Sequence, residues 1–336
     1  MAKVEFLFLD RPCVESLLPD TLTLLAIIES GLEAHGRRQA VLPPKGHLNL
    51  DHLFNGHFNI LAGYAAPAKM AGVKVIGDYV ENYRQGLPSE IALLTLYDPA
   101  TGAPRALLDA TVLTWLRTGA VTGIGARYLA RKGSRIVGHI GARGTAFGNL
   151  AALAANFPLE EIRIASARRE TREKLALEVQ EKLGLRARAV DNVEAACRDA
   201  DIVVEATRLE RPEVLIQDAW LKPGSLLVTY GWVMAVDPKT VATVEKRVVD
   251  DWAQCSKAGA LYPLVERGDL RAEHIHAEIG QIVCADKPGR TSEAERILFW
   301  HRGFAISDIV LGSWLAERAR EKGLGQVLKL WDGPDE

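Results

Sequence analysis

The first third of the chain alternates short apolar runs with turn residues, a pattern that predicts strands. The predicted strands cover residues 4–9, 47–50, 58–62, 73–76, 91–97 and 105–108. The segment DPATG joins the last two of them and predicts a hairpin turn. Helical spacing of apolar residues predicts a helix that Asp20 caps and that ends near residue 35. A second, longer helix is predicted over residues 111–130.

From residue 135 onward, apolar runs of strand length alternate with segments of helix length. The strands are predicted at residues 136–140, 162–165, 186–190, 201–206, 225–229 and 247–251, with a final strand at 297–300. Helices are predicted over residues 147–157, 170–183 and, closing the chain, 304–322. Strands that alternate with helices form a parallel sheet with right-handed crossovers. The predicted fold class is therefore α/β, with a Rossmann-type doubly wound parallel sheet domain.

The first β–α unit of this region carries a candidate phosphate-binding turn. Its strand ends at Gly141, and Ala142, Arg143, Gly144 and Thr145 lead to Ala146 at the start of the next helix. Such a turn directs the N–H groups at a helix start toward a phosphate. The usual G-x-G-x-x-G/A pattern is incomplete, because arginine stands at the second glycine position. Two interpretations remain open: a dinucleotide site in which the neighbouring glycine or the arginine compensates, or a β–α turn that binds no nucleotide.

The end of the next strand bears on the choice of cofactor. It ends at Ser166, and Arg168 and Arg169 follow before the first carboxylate, Glu170. Enzymes that use NAD usually place an acidic residue here, where it binds the ribose 2′-hydroxyl. A serine hydroxyl and two guanidinium groups instead suit the 2′-phosphate of NADP. The sequence therefore favours NADP(H) over NAD(H); the alternative is that the two arginines only begin a solvated helix.

Composition excludes several classes of protein. A chain of 336 residues, 48% hydrophobic and 25% charged, is long enough for two ordinary globular domains. A net charge of −2 gives no reason to expect a nucleic-acid partner, and no uncharged apolar run reaches the roughly 18 residues of a membrane span. Scattered cysteines and the absence of a signal-peptide layout favour a cytoplasmic location. The spacing of His47, His52 and His57 fits no usual zinc pattern, so no metal is expected.

A series of segments then suggests a family. They are PPK at 43–45, AGVKV at 71–75, YDPATGAPRALLDATVLTWLRTGA at 97–120, IGARGTA at 140–146, DADIVVEAT at 199–207, WLKPGS at 220–225, VVDD at 248–251, AEIGQIV at 277–283, PGRTS at 288–292 and GFAISD at 303–308. In order and spacing they resemble the ornithine cyclodeaminase and mu-crystallin family over nearly the whole chain. The resemblance implies an α+β domain for substrate binding and dimerisation, residues 1–118 plus 304–336, and an NAD(P)-binding Rossmann domain, residues 119–303. It also implies a homodimer.

The resemblance assigns the substrate carboxylate to three cations, Lys45, Lys74 and Arg117. Arginine suits this role because its planar guanidinium pairs a carboxylate in a bidentate manner. The family usually has arginine at the position of Lys45, and lysine keeps the charge without that geometry. Lys74 is also a candidate proton donor to an imine or a carbonyl, because buried lysines shift their pKa readily. For each of these residues the alternative is a solvated or ion-paired surface charge.

The resemblance also assigns residues to the cofactor. Besides the turn at 141–146 and the 166–169 segment, they are Thr118, Thr207, Gly231 and Gly303. Thr207 and Gly231 follow predicted parallel strands, whose carboxyl ends form the cofactor crevice of such a sheet.

Two positions depart from the family pattern and change the predicted chemistry. Cyclodeaminases carry an aspartate two residues after Gly231, whereas this chain has Val233 in a shorter loop with no carboxylate before Asp237. Cyclodeamination needs that carboxylate to orient or deprotonate the attacking amine, so its replacement favours simple redox chemistry. His301 stands where the family commonly has a small polar residue in the nicotinamide pocket. It is either a catalytic proton donor or a satisfied pocket histidine.

Together these features predict an NAD(P)-dependent imine reductase or amino-acid dehydrogenase. Its substrate is a small imino, keto or amino acid that bears a carboxylate, and hydride passes between the nicotinamide and the α-carbon. Two alternatives remain open. One is a cyclodeaminase-like ammonia lyase with a substitute base. The other is a crystallin-like protein that binds a nucleotide or small ligand without turnover.

Overall fold

The computed structural model describes residues 3–209 and 211–331. The chain divides into two compact units, the first from Met1–Arg117 and Phe304–Glu336 and the second from Thr118–Gly303. Each unit is built on its own eight-stranded sheet. No helix in the described part of the chain is long and apolar enough to cross a membrane.

The first unit combines a mixed sheet with helices. Its strands are β1 (Val4–Leu9), β2 (Ala40–Val41), β3 (Gly46–Asn49), β4 (Gly56–Ala65), β5 (Met70–Tyr79), β6 (Glu90–Tyr97), β7 (Pro104–Asp109) and β16 (Gln326–Trp331). Its helices are α1 (Arg11–Ser16), α2 (Thr21–Gly36), α3 (Asp51–Phe54), the start of α4 (Thr111–Leu129) and α12 (Ala305–Glu321). The sheet order is β16-β1-β7-β6-β5-β4-β2, with β3 also paired to β4. All its pairs are antiparallel except β1 with β7.

Two helices cover one face of this sheet. Helix α12 packs against β4, β5 and β6, and α2 packs against α12. The predicted cap of α2 is confirmed, because Asp20 Oδ1 accepts a hydrogen bond from the backbone N–H of Thr23 at 2.8 Å. That bond satisfies one of the N–H groups that a helix start leaves without an intrahelical partner.

The second unit contains a fully parallel sheet. Its strands are β8 (Ile136–Ile140), β9 (Glu161–Ala165), β10 (Ala187–Ala189), β11 (Ile202–Glu205), β12 (Leu226–Thr229), β13 (Lys246–Val249), β14 (Ala277–Glu278) and β15 (Ile297–Trp300). Its helices, after the end of α4, are α5 (Ala146–Ala154), α6 (Arg169–Leu183), α7 (Val193–Cys197), α8 (Pro238–Thr243), α9 (Trp252–Cys255), α10 (Tyr262–Glu266) and α11 (Ile279–Val283). The sheet order is β10-β9-β8-β11-β12-β15-β13-β14. Because the order runs outward from β8 in both directions, the predicted doubly wound sheet is confirmed.

The structure corrects several predicted boundaries. Strands β4 and β5 are longer than predicted, because cross-strand pairing carries them through glycine and polar positions that interrupt the apolar pattern. Helix α5 ends at Ala154, not at residue 157, and the residue before Pro158 is disfavoured in a helix. The predicted strand at residues 297–300 is confirmed as β15, but it is not the last strand, because β16 follows α12 and pairs with β1. Most of β16 is exposed, so it shows no clear alternation of buried and polar positions.

Candidate active site

A buried ion-pair cluster lies in the first unit, on residues from β5, α4 and α12. Lys74 Nζ donates to Asp308 Oδ1 at 2.7 Å and to Thr114 Oγ1 at 3.1 Å. Arg117 Nε donates to the same Asp308 oxygen at 3.1 Å. Lys74 and Asp308 are fully buried, and the Arg117 side chain is 7% exposed. One carboxylate oxygen therefore holds two cations, and the hydrogen-bonded cluster carries a net charge of +1.

The local structure explains why these side chains meet. Along β5, side chains alternate between the two faces of the sheet, and Lys74 points to the face that α12 covers. Its register partners on β4 and β6 are Leu61 and Leu94, which are both buried. Thr114 and Arg117 lie three positions apart on α4 and so share one side of that helix. The cations are thus held by regular backbone in apolar surroundings.

These surroundings shift the pKa of both central groups. Burial, together with the nearby Arg117, lowers the pKa of Lys74 to about 8, while Asp308 and Glu90 act in the opposite direction. Burial alone raises the pKa of Asp308, but Arg117 and Lys74 outweigh it and hold that pKa below its usual value. A lysine with a pKa of about 8 gains and loses its proton near neutral pH, as a general acid or base must.

The cluster still has donors to offer a ligand. Among the described residues, Asp308 accepts from Arg117 Nε, while the two terminal amino groups of that guanidinium have no hydrogen-bond partner. Lys74 uses two of its three N–H donors within the cluster. The terminal edge of a guanidinium can bind a carboxylate in a bidentate manner. The net charge and the remaining donors therefore suit an anionic group, and a carboxylate in particular.

The structure places the third predicted cation and adds residues that the sequence did not indicate. Lys45 is half-buried and lies directly before β3. Asp308 and Thr114 belong to the cluster but were not among the predicted site residues. The available signal for Asp308 was a carboxylate within the largely apolar start of α12, a helix whose first nine residues are all buried. A charged residue in that setting indicates a buried partner.

The predicted phosphate turn begins the second unit's first β–α connection. Gly141 has a φ of +102°, and a Cβ at this position would lie 2.5 Å from the carbonyl oxygen of Ala206. Glycine is therefore required where the turn passes the end of β11. Arg143 and Gly144 are exposed, Ala142 and Thr145 are half-buried, and Ala146 is buried as the first residue of α5. An accessible turn at the start of a helix suits the phosphates of a dinucleotide.

A buried carboxylate joins the ends of β11 and β12. The side chain of Glu205 accepts hydrogen bonds from the Thr207 backbone N–H at 2.8 Å and from Thr229 Oγ1 at 2.7 Å. A Cβ at Gly231 would lie 2.9 and 3.0 Å from its two oxygens, so a larger residue there would crowd the carboxylate. Burial raises the pKa of Glu205, although these hydrogen bonds oppose the rise. Glu205 was not predicted; its signal was an acidic residue inside an otherwise apolar strand.

His301 lies at the end of β15 and is fully buried. Its Nε2 is 3.0 Å from Thr122 Oγ1, and its ring stacks on Tyr230 with centroids 4.7 Å apart. Gly303 has a φ of +63°, and its N–H donates to Asp250 Oδ2 at 2.7 Å. Thr118, another predicted cofactor residue, is buried in α4.

The segment predicted to bind a 2′-phosphate lies between β9 and α6. Ser166 Oγ donates to the carbonyl oxygen of Arg168 at 2.9 Å, and Arg168 directly precedes α6. Arg169 is the first residue of that helix; its side chain is 75% exposed and pairs with Glu173 at 2.7 Å. Both arginines therefore lie at the exposed start of α6. No carboxylate lies between the end of β9 and Glu170.

Residues 9–323 match the model of the ornithine cyclodeaminase/mu-crystallin family. The chain belongs to this family. An alanine dehydrogenase from Archaeoglobus fulgidus is 32% identical over 337 residues, which cover 98% of this chain and 99% of that protein. Two solved structures are similarly close. The reductase of Delta(1)-pyrroline-2-carboxylate from Thermococcus litoralis, in complex with NADH and L-proline, is 31% identical with a TM-score of 0.89, covering 96% of this chain and 99% of that one. An archaeal alanine dehydrogenase dimer with bound NAD is 30% identical with a TM-score of 0.88, covering 97% of this chain and all of the other.

These comparisons confirm the predicted family and fold class. The predicted activity, an oxidoreductase of CH–NH2 or C=N groups, agrees with relatives that are dehydrogenases and reductases. Both related structures contain a nicotinamide nucleotide, NADH in one and NAD in the other.

Proposed function

We propose that this protein is an NAD(P)-dependent oxidoreductase that reduces the C=N bond of a small imino acid or oxidises the corresponding amino acid. The observation that carries the proposal is the buried cluster of Lys74, Arg117 and Asp308. It combines a net positive charge with a lysine whose pKa is about 8. A carboxylate-bearing substrate needs the first property, and proton transfer to its nitrogen needs the second.

Arg117 binds the substrate carboxylate in this proposal, and the positive charge of Lys74 beside it adds to the attraction. Asp308 holds Arg117 by Nε, which leaves the terminal edge of the guanidinium for two parallel hydrogen bonds. In buried surroundings these charge-assisted bonds are stronger than they would be in water. Lys45 is proposed as a third, more peripheral cation, since it is only half-buried.

Reduction of an imine to an amine consumes one hydride and one proton. A bound nicotinamide supplies the hydride in this direction and accepts it in the other. The ammonium form of Lys74 donates the proton to the substrate nitrogen, and its neutral form takes the proton back in the oxidation. His301 is the second candidate for proton transfer, through the Nε2 that contacts Thr122.

The second unit holds the cofactor in this proposal. The residues proposed to contact it are Thr118, the turn Gly141, Ala142, Arg143, Gly144, Thr145 and Ala146, and Thr207, Gly231 and Gly303. We further propose a preference for NADP(H), held through Ser166, Arg168 and Arg169. The support is the absence of a carboxylate at the end of β9 together with two arginines at the start of α6.

The cofactor preference is tested by kcat/KM with NADPH and NADH under identical conditions. One charge-assisted contact, about 1.5 kcal/mol, corresponds to a preference of roughly tenfold for NADPH. The double variant Arg168→Ala/Arg169→Ala should move the preference toward NADH. Arg198→Ala is the matched control, because Arg198 is also an exposed arginine that pairs with a glutamate four residues away. Equal or better use of NADH by the wild type would contradict the proposal.

We also propose a homodimer, formed through the open face of the first unit's sheet. Ile60, Val75 and Leu93 are register partners on β4, β5 and β6, on the face opposite Lys74. They are 38%, 39% and 48% exposed in the chain, so they form an apolar row without a cover. One relative is itself a dimer. A cytoplasmic location likewise stays a proposal, one that suits a metabolic enzyme.

The dimer is tested by light scattering of the purified protein. Val75→Glu/Leu93→Glu should give a monomer, because a charge on this face cannot be buried without a partner. Leu177→Glu is the control, since Leu177 is 54% exposed on α6 of the other unit. A monomeric wild type, or a double variant that remains dimeric, would contradict the proposed interface.

The activity is tested by the absorbance of the reduced cofactor. Cyclic imino acids, and 2-keto acids mixed with ammonia or alkylamines, are offered with NADPH and with NADH. Consumption of the reduced cofactor with at least one carboxylate-bearing substrate is expected. Equivalent amines or ketones that lack the carboxylate should be poor substrates. Cofactor binding without any turnover would instead favour the crystallin-like alternative.

A further inference from the structure

A chain of four buried or half-buried polar side chains lies behind the phosphate turn. His139 Nδ1 is 2.8 Å from the carbonyl oxygen of Gly141, and His139 Nε2 is 3.0 Å from Asn149 Nδ2. Asn149 Nδ2 is also 2.5 Å from the hydroxyl of Tyr230, which in turn is 2.6 Å from Thr145 Oγ1. This series of hydrogen bonds thus begins and ends at residues of the turn and includes Tyr230, which directly follows β12.

The direction of the first hydrogen bonds follows from the chemistry of the groups. A carbonyl oxygen can only accept, so Nδ1 of His139 carries a proton and donates to Gly141. Burial lowers the pKa of His139 to about 4, so the ring is neutral and its Nε2 must accept. The amide nitrogen of Asn149 therefore donates one hydrogen to His139 and the other to Tyr230. This assignment also fixes the orientation of the Asn149 amide.

The last bond, from Tyr230 to Thr145, has a preferred direction as well. The Tyr230 oxygen already accepts from Asn149. A phenol is far more acidic than an aliphatic alcohol, so the phenolic O–H is the better donor and the threonine oxygen the better acceptor. Tyr230 then donates to Thr145, and the hydroxyl hydrogen of Thr145 is left to donate elsewhere.

Thr145 does not use its hydroxyl in the usual way for its position. It is the residue before α5, yet its side chain makes no capping hydrogen bond to the helix. A threonine at this position usually accepts from a backbone N–H of the first helical turn. Tyr230 instead holds the Thr145 oxygen, and the half-buried side chain lies beside the exposed Arg143 and Gly144.

We propose that His139, Asn149 and Tyr230 are positioning residues that make the Thr145 hydroxyl a hydrogen-bond donor to the pyrophosphate of the nicotinamide cofactor. The inference rests on the proposed function, because it presumes that the second unit binds NAD(P). It assigns to Tyr230 an effect on cofactor affinity that passes entirely through Thr145.

The test is a double-mutant cycle on cofactor affinity, measured by calorimetry on the full chain without substrate. NADPH, NADH and ADP-ribose are the ligands, and the last of these contains the pyrophosphate but no nicotinamide. Thr145→Val and Tyr230→Phe should each weaken all three by about three- to tenfold, as loss of one hydrogen bond implies. The double variant should bind no more weakly than Thr145→Val alone, because both changes remove the same contact. Thr145→Ser keeps the hydroxyl and should bind nearly as well as the wild type.

Several features keep the outcome clear. Phenylalanine preserves the ring of Tyr230 that stacks on His301, and the unfolding temperature of each variant shows that it folds. Tyr262→Phe, which removes a hydroxyl from α10 of the same unit, should leave the affinity unchanged. Unchanged affinity in Tyr230→Phe, additive losses in the double variant, or a loss with NADPH and NADH that is absent with ADP-ribose would each overturn the inference while the proposed function stands. A wild-type protein that binds none of the three ligands would overturn both.

Discussion

The buried cluster makes a strong prediction about stability and its dependence on pH. Asp308→Asn keeps the shape of the side chain but removes the charge that Lys74 and Arg117 share. Removing one partner of a buried ion pair typically costs about 3–5 kcal/mol of the free energy of unfolding, because a buried charge is left uncompensated. At pH 6 we expect a loss in that range.

The loss should be smaller at pH 9, for a reason that follows from the lysine. With a pKa of about 8, Lys74 is charged at pH 6 and mostly neutral at pH 9 in the wild type. Asp308 therefore holds two cations at pH 6 and mainly Arg117 at pH 9. The variant could avoid an uncompensated lysine charge at pH 6 only if Lys74 lost its proton. That pH lies two units below the pKa of Lys74, so losing the proton costs about 2.7 kcal/mol and the variant is still destabilised. At pH 9 the proton is already lost.

The stability of the wild type should itself rise with pH, whereas the loss caused by Asp308→Asn should fall. Lys74 has a folded-state pKa below its ordinary value of 10.5, so the unfolded chain binds its proton more tightly. The contribution of this group to stability therefore increases as the pH rises from about 8 toward 10.5, and it is lost as the pH falls through 8.

The assay is urea unfolding at pH 6 and pH 9, followed by circular dichroism. Glu321→Gln is the matched control, because it removes a carboxylate from the same helix, where Glu321 pairs with Arg318 at 2.8 Å but is 61% exposed. Exposed pairs contribute about 0–1 kcal/mol, so the control should change little. A loss below 1 kcal/mol for Asp308→Asn at pH 6, or an equal loss at both pH values, would refute the description of the cluster.

Four further predictions concern the site. The kcat/KM for imine reduction should fall as the pH rises through about 8, since the proton donor is charged Lys74, whereas the kcat/KM for amine oxidation should rise. Asp308→Asn should move both inflections to lower pH, because it removes the carboxylate that favours the charged lysine. A variant whose pH profiles keep the wild-type inflection would contradict this. Arg117→Ala should raise the KM for substrate by roughly 10- to 100-fold, the equivalent of a desolvated charge-assisted pair of about 1.5–3 kcal/mol; a change within about twofold would exclude the carboxylate clamp. With ornithine or lysine and cofactor, no steady release of ammonia is expected, because Val233 replaces the family's carboxylate, and release at a rate comparable to redox turnover would reverse that conclusion. Gly231→Ala should lower the free energy of unfolding by about 1–3 kcal/mol, since its Cβ would press on the Glu205 carboxylate, and an unchanged unfolding curve would show that the loop yields freely.

Local patterns in the sequence determined most of the secondary structure. Much of the Rossmann-type half was predictable, because seven of its eight strands and the helices α5 and α6 carry their own apolar pattern, and strands that alternate with helices form a parallel sheet. The short helices α7 to α11 and the strand β14 were not predicted. The cap of α2 at Asp20 and the need for glycine at position 141 were predictable for the same reason, since both depend on neighbouring residues. The edge strand β16 was missed because an exposed edge does not impose alternating burial.

The tertiary structure alone decided how the polar groups are paired. Lys74 and Asp308 are separated by 234 positions, and only the packing of α12 on the sheet brings them to 2.7 Å. The same packing buries Lys74 near Arg117, and both effects lower its pKa to about 8, while the contact with Asp308 opposes that shift. Tyr230 and Thr145 likewise meet across 85 positions. Local sequence patterns identify which side chains are able to bind a ligand or transfer a proton. Their protonation and orientation depend on partners that are distant in the chain and on burial away from water, both of which only folding provides.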